Sequence, residues 1–357
     1  MPNSCKKFNV GGQAIIEGVM MRSPNSLAIA VRRPDGNIVV KEQRWESIWS
    51  RYKFLRWPFL RGTVMLVESL VNGIQALTFS ADQAMIEDKP EEPGSDTAEK
   101  KAPEKPMNRL MLYGTIVFSL AFAFAVFKGI PHLIATLAGT LTDTEIGTNS
   151  VIFHIIDGVV KMCMFVAYIW LISLMPDIKR VFQYHGAEHK SIYAYEKGEE
   201  LTVENARKQT TLHPRCGTSF IILVLLVSIL VFMSIFPFIP TLYEGNRWIN
   251  ALLQIGIKLP MMLPIAGIAY ELIRWSGKHP NTPLLKWFIK PGLWMQKITT
   301  REPSDDMLEI ALVSLRKALW REKHGLAGLD EKKDELEIYS DYSSIDFDKE
   351  NEEKACT

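Results

Sequence analysis

The sequence predicts a mainly α-helical membrane protein. It would be a polytopic bundle of about four transmembrane helices, with amphipathic interfacial helices and a small N-terminal β element. Three observations carry this. Four apolar runs, at residues 110–127, 151–175, 217–243 and 249–270, each come close to the roughly 20 residues that cross a bilayer. Basic residues crowd 41–61, 100–109, 179–215 and 274–301, while the segments after the first and third runs hold few, chiefly Lys128 and Arg247. By the positive-inside rule both termini and the 177–216 loop then face the cytosol, and the cell (cytoplasmic) membrane is the expected location. Finally, Pro34-Asp35-Gly36-Asn37 is a turn signal between loosely alternating stretches at 27–32 and 38–41. The net charge of +1 conceals the asymmetry between loops, and the apolar residues are too clustered for two soluble domains.

Residues 1–43 form the β element. The stretch Gly11-Gly12-Gln13-Ala14-Ile15-Ile16-Glu17-Gly18-Val19-Met20-Met21-Arg22 lacks the spacing of a nucleotide-binding glycine loop. Either it is a tight strand-to-strand turn, or it brings Glu17 and Arg22 to a site assembled from several segments. Residues 44–86 begin with Arg44, Arg51, Lys53 and Arg56 set among Trp45, Trp49, Tyr52 and Trp57, a mixture that suits a membrane interface. Nucleic acid takes similar residues, but the apolar spans favour the bilayer as partner and no nucleic acid is expected. Residues 62–85 then read as an amphipathic helix with Glu68, Asn72 and Gln75 along one stripe, lying in the interface or docked on the bundle. A re-entrant hairpin is the alternative.

Residues 87–107, rich in Glu, Lys and Pro, read as a disordered linker ahead of the transmembrane region at 108–275. The first span is wholly apolar and structural, followed by a short interfacial helix at 129–141 that starts near Pro131. The second carries His154, Asp157 and Lys161 on one face, marking either a polar pathway or an Asp157–Lys161 pair that neutralises itself. Pro260 and Pro264 break the fourth. Residues 276–325 continue on the cytosolic or interfacial side and include an amphipathic helix at 304–323, with Met307, Ile310, Leu315 and Leu319 on its apolar face. An acidic, disordered tail fills 326–357.

The sharpest chemical signal lies between the second and third spans. His185-Gly-Ala-Glu188-His189 fits H-x-x-E-H, the reverse of the zincin H-E-x-x-H. On a helix, positions i and i+4 share a face, so both imidazoles can hold one divalent metal ion, zinc above others. Glu188 would be the general base toward a metal-bound water. Asp177 can cap this helix and Gly198 end it, and Thr202 can cap a second at 203–209. An open catalytic site needs a third ligand: His213 comes first, being close in sequence and next to Pro214, then Glu204, then Glu271. Arg215 could stabilise an oxyanion, and Tyr184 or Tyr193 could support the ligands. The four cysteines, Cys5, Cys163, Cys216 and Cys356, form no C-x-x-C, which disfavours a cysteine-only zinc site. Cys216 alone, beside His213 and Arg215, has a chemically interesting neighbourhood.

Together, Gly12-Gln-Ala-Ile-Ile-Glu17-Gly18-Val-Met-Met-Arg22, Tyr184-His-Gly-Ala-Glu-His189-Lys190 and Leu212-His-Pro-Arg-Cys-Gly-Thr-Ser219 resemble the YqhQ family over roughly residues 8–325. These are bacterial multi-pass membrane proteins of unknown function, labelled predicted metal-dependent enzymes. The resemblance implies that His185, Glu188, His189 and the His213–Cys216 segment share a site; it supplies no substrate. Known H-x-x-E-H peptidases are soluble and take a glutamate ligand much further downstream, so this chain departs from them in architecture.

Two functions follow. One is a membrane-embedded metal-dependent hydrolase at the cytosolic face, acting on a membrane-associated peptide or a lipid substrate. The other is a non-enzymatic transporter or membrane-protein assembly factor; four spans are few for a monomeric carrier, so this one implies a homo-oligomer.

Overall fold

Five antiparallel strands form one sheet in the order β1 (Gly11–Ile15), β2 (Gly18–Arg22), β3 (Ser26–Arg32), β4 (Ile38–Arg44) and β5 (Glu337–Tyr339). They belong to a computed structural model that describes residues 7–86, 109–141, 150–239, 242–243, 245, 247–279, 282–324 and 336–345. The linker expected at 87–107 lies outside the described residues, as do Cys5 and Cys356.

The expected turn joins β3 to β4: Gly36 takes φ +90°, and Asn37 N–H donates to Asp35 Oδ1 at 2.8 Å. The earlier glycine-rich stretch is a second hairpin, pairing Ile15 with Gly18 around Ile16 and Glu17. Glu17 has φ +50°, rare for a residue with a Cβ, and its carboxylate is held at 2.5 Å by Arg180 and at 3.3 Å by the Tyr184 hydroxyl. β2 and β3 are covered on both faces, so they read as nearly continuous apolar runs instead of clean alternation.

The chain divides into two units. The first takes Met1–Glu87, Ile169–Val224 and Leu263–Thr357. Here α10 (Asp305–His324) lies on one face of the sheet, with Met307, Ile310, Leu312 and Leu315 buried among Val19, Met21, Ala28 and Ala30. α5 (Pro176–Lys197) packs on α10 and β1, and the short α6 (Val203–Arg207) against both helices. α10 is thus a core helix buried nearly all round, where a single apolar stripe was expected. On the other face α2 (Leu60–Ala84) sets Ala76 among Ile15, Met20, Leu27 and Ile29. Glu68 on α2 accepts Ser47 Oγ at 2.7 Å and Ile48 N–H at 2.6 Å, at the start of α1 (Ile48–Arg51). The docked alternative for this helix therefore describes its inner edge.

The tail departs from its expected disorder. Glu337 joins β5 to β4 opposite Val40, its carboxylate accepts from Lys317 at 2.8 Å, and Ile345 is buried. An acidic stretch gains order here because it completes an open sheet edge beside a lysine. Residues 325–335 and 346–357 lie outside the described residues.

The second unit takes Asp88–Tyr168 and Leu225–Met262. The runs expected as a span at 110–127 and a separate helix at 129–141 are one helix, α3 (Arg109–Leu141), continuous through Pro131. α4 (Val151–Ile172) buries His154 and Asp157, and Lys161 pairs with Asp157. α7 (Gly217–Ile235) and α8 (Arg247–Lys278) start in one unit and end in the other. α8 runs unbroken through Pro260 and Pro264, correcting the expected break. Apolar surroundings stabilise a helix strongly enough to tolerate a proline.

Four helical segments among the described residues are long and apolar enough to cross a membrane: Leu60–Ala84, Val151–Ile172, Gly217–Phe238 and Leu253–Ser276. By length and composition this is a helical membrane protein. Three of them are expected spans; the fourth is α2, and the expected first span lies within α3.

Candidate metal centre

The site is built on α5. Pro176 opens the helix at its first turn, with Asp177 just inside, and Gly198 closes it at φ +78°. Asp177 thus helps the helix N-terminus through charge, without the side-chain cap expected of it. Gly186 is required by a close approach: the backbone at Arg301 crosses α5 here, and a Cβ at 186 would meet Arg301 O at 2.0 Å. Arg301 N–H donates to Phe182 O at 2.9 Å. That crossing follows α9 (Pro283–Thr299), which carries the second wall of the site.

The two histidines of α5 are oriented alike. His185 Nδ1 lies 2.8 Å from the carbonyl of Thr299, and His189 Nδ1 bonds the carbonyl of Thr211. A carbonyl only accepts, so each Nδ1 carries a proton and Nε2 is left to face the site. His185 Nε2 stands 3.1 Å from Cys216 Sγ. One donor atom from each of His185, His189 and Cys216 can be chosen so that all lie within 4.8 Å of one another. Two imidazoles anchored by backbone carbonyls, with one sulfur, form a donor set suited to zinc with a position left open.

Cys216 immediately precedes α7, at the positive end of that helix. Burial would raise its pKa, but the charge and hydrogen bonds of His185 and His189 outweigh burial and hold the thiol well below its ordinary value. Burial would likewise lower His185, yet the Cys216 sulfur lifts it to about 9. Each group thus favours the charged form of the other, and a cation bound to both would displace the proton between them.

Glu188 is buried beside these groups. Its environment pushes its pKa up, chiefly by desolvation, with His189 and His185 opposing. Its carboxyl makes none of the described hydrogen bonds, and β1 closes over it at Gly12, where a Cβ would come within 2.8 Å of Glu188 Cγ.

Of the other expected ligands, His213 borders the site with its nitrogens engaged by other groups, and Glu204 and Glu271 pair with basic residues. His213 Nδ1 accepts Arg215 N–H at 3.3 Å and its Nε2 turns to Glu196 at 3.4 Å. Gln296 on α9 holds the backbone here: it accepts His213 N–H and donates to His213 O and Ser219 Oγ, each at 2.7 Å. Burial and the facing His189 lower His213 to about 4, so it stands as a neutral wall 5.5 Å from the His189 ring. Glu204 sits on the surface of α6, paired with Lys208 at 2.9 Å. Glu271 pairs with Arg61, and Arg215 pairs with Glu196. Tyr184 serves Glu17, and Tyr193 packs on His213 at 4.7 Å. Of the N-terminal pair, Glu17 anchors the sheet to α5, while Arg22 stacks over Trp45 at 4.5 Å.

Sequence reasoning missed Thr211, Thr299 and Gln296, and ranked Cys216 below His213. Cys216 had a signal, a cysteine directly ahead of an apolar helix. The two carbonyls had none, since a backbone atom leaves no mark in residue type.

A family model described as "Protein of unknown function (DUF1385)" matches residues 57–321. The chain belongs to this family. It is also 33% identical over 313 residues to the uncharacterized protein YqhQ of Bacillus subtilis (strain 168), covering 87% of this chain and 92% of that protein. The resemblance read from the three motifs is thereby shown. No solved structure matches the chain. The DUF1385 match contains all three donor residues and both supporting carbonyls; β1 with Gly12 and the strand β5 lie outside it.

Proposed function

We propose that this chain is a membrane-embedded metal-dependent enzyme, a hydrolase at the cytosolic face, with a divalent ion, zinc above others, held by His185, His189 and Cys216. One observation carries this: both Nδ1 atoms are committed to backbone carbonyls, so both Nε2 atoms face the sulfur. An ion bound there would supply the positive charge that lowers the pKa of a water.

Glu188 supplies the base. Its buried carboxyl takes the proton as the water oxygen bonds to the electrophilic centre of the substrate, and returns that proton to the leaving group as the old bond breaks. A pKa raised above the ordinary carboxylate value favours the return of that proton. The test is cobalt substitution. Cobalt-loaded protein should show a thiolate-to-cobalt charge-transfer band that Cys216→Ser abolishes; a loaded protein without the band would remove sulfur from the ligand set.

A second reading, transport or membrane-protein assembly, rests on the second unit. His154 on α4 and Lys258 on α8 are both buried and both contact Phe236, at 5.1 and 4.5 Å. Polar groups inside a membrane-spanning unit often mark a pathway. Under this reading Asp157→Asn damages function more than Glu188→Gln; the reverse order supports the enzyme.

A further inference from the structure

We propose that a cavity of about 580 Å³ beside the metal-centre loop binds the phosphate head of an anionic lipid and is where the substrate enters. As the entrance to catalysis it rests on the enzyme reading above; as a binding site it does not.

The cavity adjoins the centre through shared residues. Pro214 and Arg215 in its wall directly precede Cys216, and Glu196 in the same wall reaches His213 at 3.4 Å. Its charge is positive. Lys7, Lys290 and Arg215 line it against the single carboxylate of Glu196, and Arg215 already pairs with that carboxylate. Lys7 donates to the backbone carbonyl of Glu196 at 2.8 Å, which leaves its charge uncompensated. A phosphate is the anion that two lysines and nearby backbone would hold.

Beside the polar Asn9, Tyr195 and Ser276, the wall holds an apolar patch of Phe8, Ile289 and Leu293, so the ligand carries an apolar tail as well as a charged head. Position selects a lipid over a free phosphate. Ser276 in the wall is the last residue of the candidate span Leu253–Ser276, which places the cavity at headgroup depth. The helix that supplies Ile289, Lys290 and Leu293 also exposes Trp287 and Trp294, at 68% and 65%, and exposed tryptophans favour the membrane–water boundary. The volume fits a headgroup with the first part of its chains.

The test is titration of the full-length, detergent-purified protein with three probes: dihexanoyl phosphatidate, dihexanoyl phosphatidylcholine and inorganic phosphate. Phosphatidate should bind tightest. Lys290→Glu, at an exposed position that spares the fold, should weaken it about tenfold or more, while Lys290→Arg retains it. Leu293→Trp, which fills the cavity, should also weaken it. Inorganic phosphate binding as tightly as phosphatidate would overturn the lipid assignment. Equal affinity for phosphatidylcholine, or an unchanged affinity in Lys290→Glu, would overturn the site. Metal content measured on the same samples separates the two claims: metal-free protein that still binds phosphatidate sinks the enzyme and supports the lipid site.

Discussion

Gly12 of β1 lies so close to Glu188 of α5 that a Cβ at position 12 would come within 2.8 Å of the glutamate's Cγ. The N-terminal sheet is therefore the lid over the buried carboxyl. Two of the three motifs that resemble the family, 12–22 and 184–190, meet at this contact.

Gly12→Ala should force Glu188 and Met21 aside and cost about 1–3 kcal/mol of stability, as overpacked cores do. Metal content should hold, since no ligand moves. Thermal unfolding and elemental analysis of one sample check both parts; an unchanged melting temperature would contradict the close approach.

Gln296→Ala should act on the metal through the loop. It removes three hydrogen bonds of 2.7 Å and leaves His213 N–H and O unsatisfied in a buried place. Stability should fall by about 3 kcal/mol. Metal affinity should fall as well, because the His213–Ser219 loop that Gln296 holds carries Cys216. A competitive chelator titration reads the affinity, and an unchanged value would separate Gln296 from the centre.

These contacts show where sequence legibility ended. His185 and His189 were legible because an i, i+4 pair with an intervening glutamate is a helical pattern. The β3–β4 turn was legible because Pro-Asp-Gly-Asn has few other uses. The third donor was not: His213 and Cys216 stand three residues apart, and it is Arg215 N–H, Glu196 and the distant Gln296 that hold His213 turned away while Cys216 faces the histidines. Gly12 and Gly186 read as bland glycines, since the need for each arises from a backbone or side chain distant in sequence. The strand in the acidic tail was hidden for a similar reason, because β4 and Lys317 supply its order.

Glu188 sets a pH dependence in the metal-free protein. Its folded pKa is raised above the unfolded value, so its contribution to stability is full below the unfolded pKa of about 4.5 and is lost as pH rises through the folded pKa. Glu188→Gln, which cannot ionise, should abolish that loss and be the more stable protein at neutral pH without metal. Melting temperatures of the two metal-free proteins across acid to neutral pH check this; parallel curves would contradict a raised pKa.

Ending the chain after residue 335 should expose the β4 edge and take Glu337 and Tyr339 from Lys317, which keeps Glu42 at 3.5 Å. A loss of about 1–2 kcal/mol and a greater tendency to associate are expected, with metal content unchanged. Loss of metal in this truncated chain would mean that the sheet edge reaches the centre.

The central claim is tested most directly by elemental mass spectrometry of detergent-purified protein, unmodified, with His185 and His189 both changed to Ala, and as Cys216→Ser. The account predicts about one zinc or similar divalent ion per chain in the unmodified protein, none in the double histidine variant and a clear reduction in Cys216→Ser. Unmodified protein without metal after reconstitution, or a double histidine variant that keeps its metal, would contradict it.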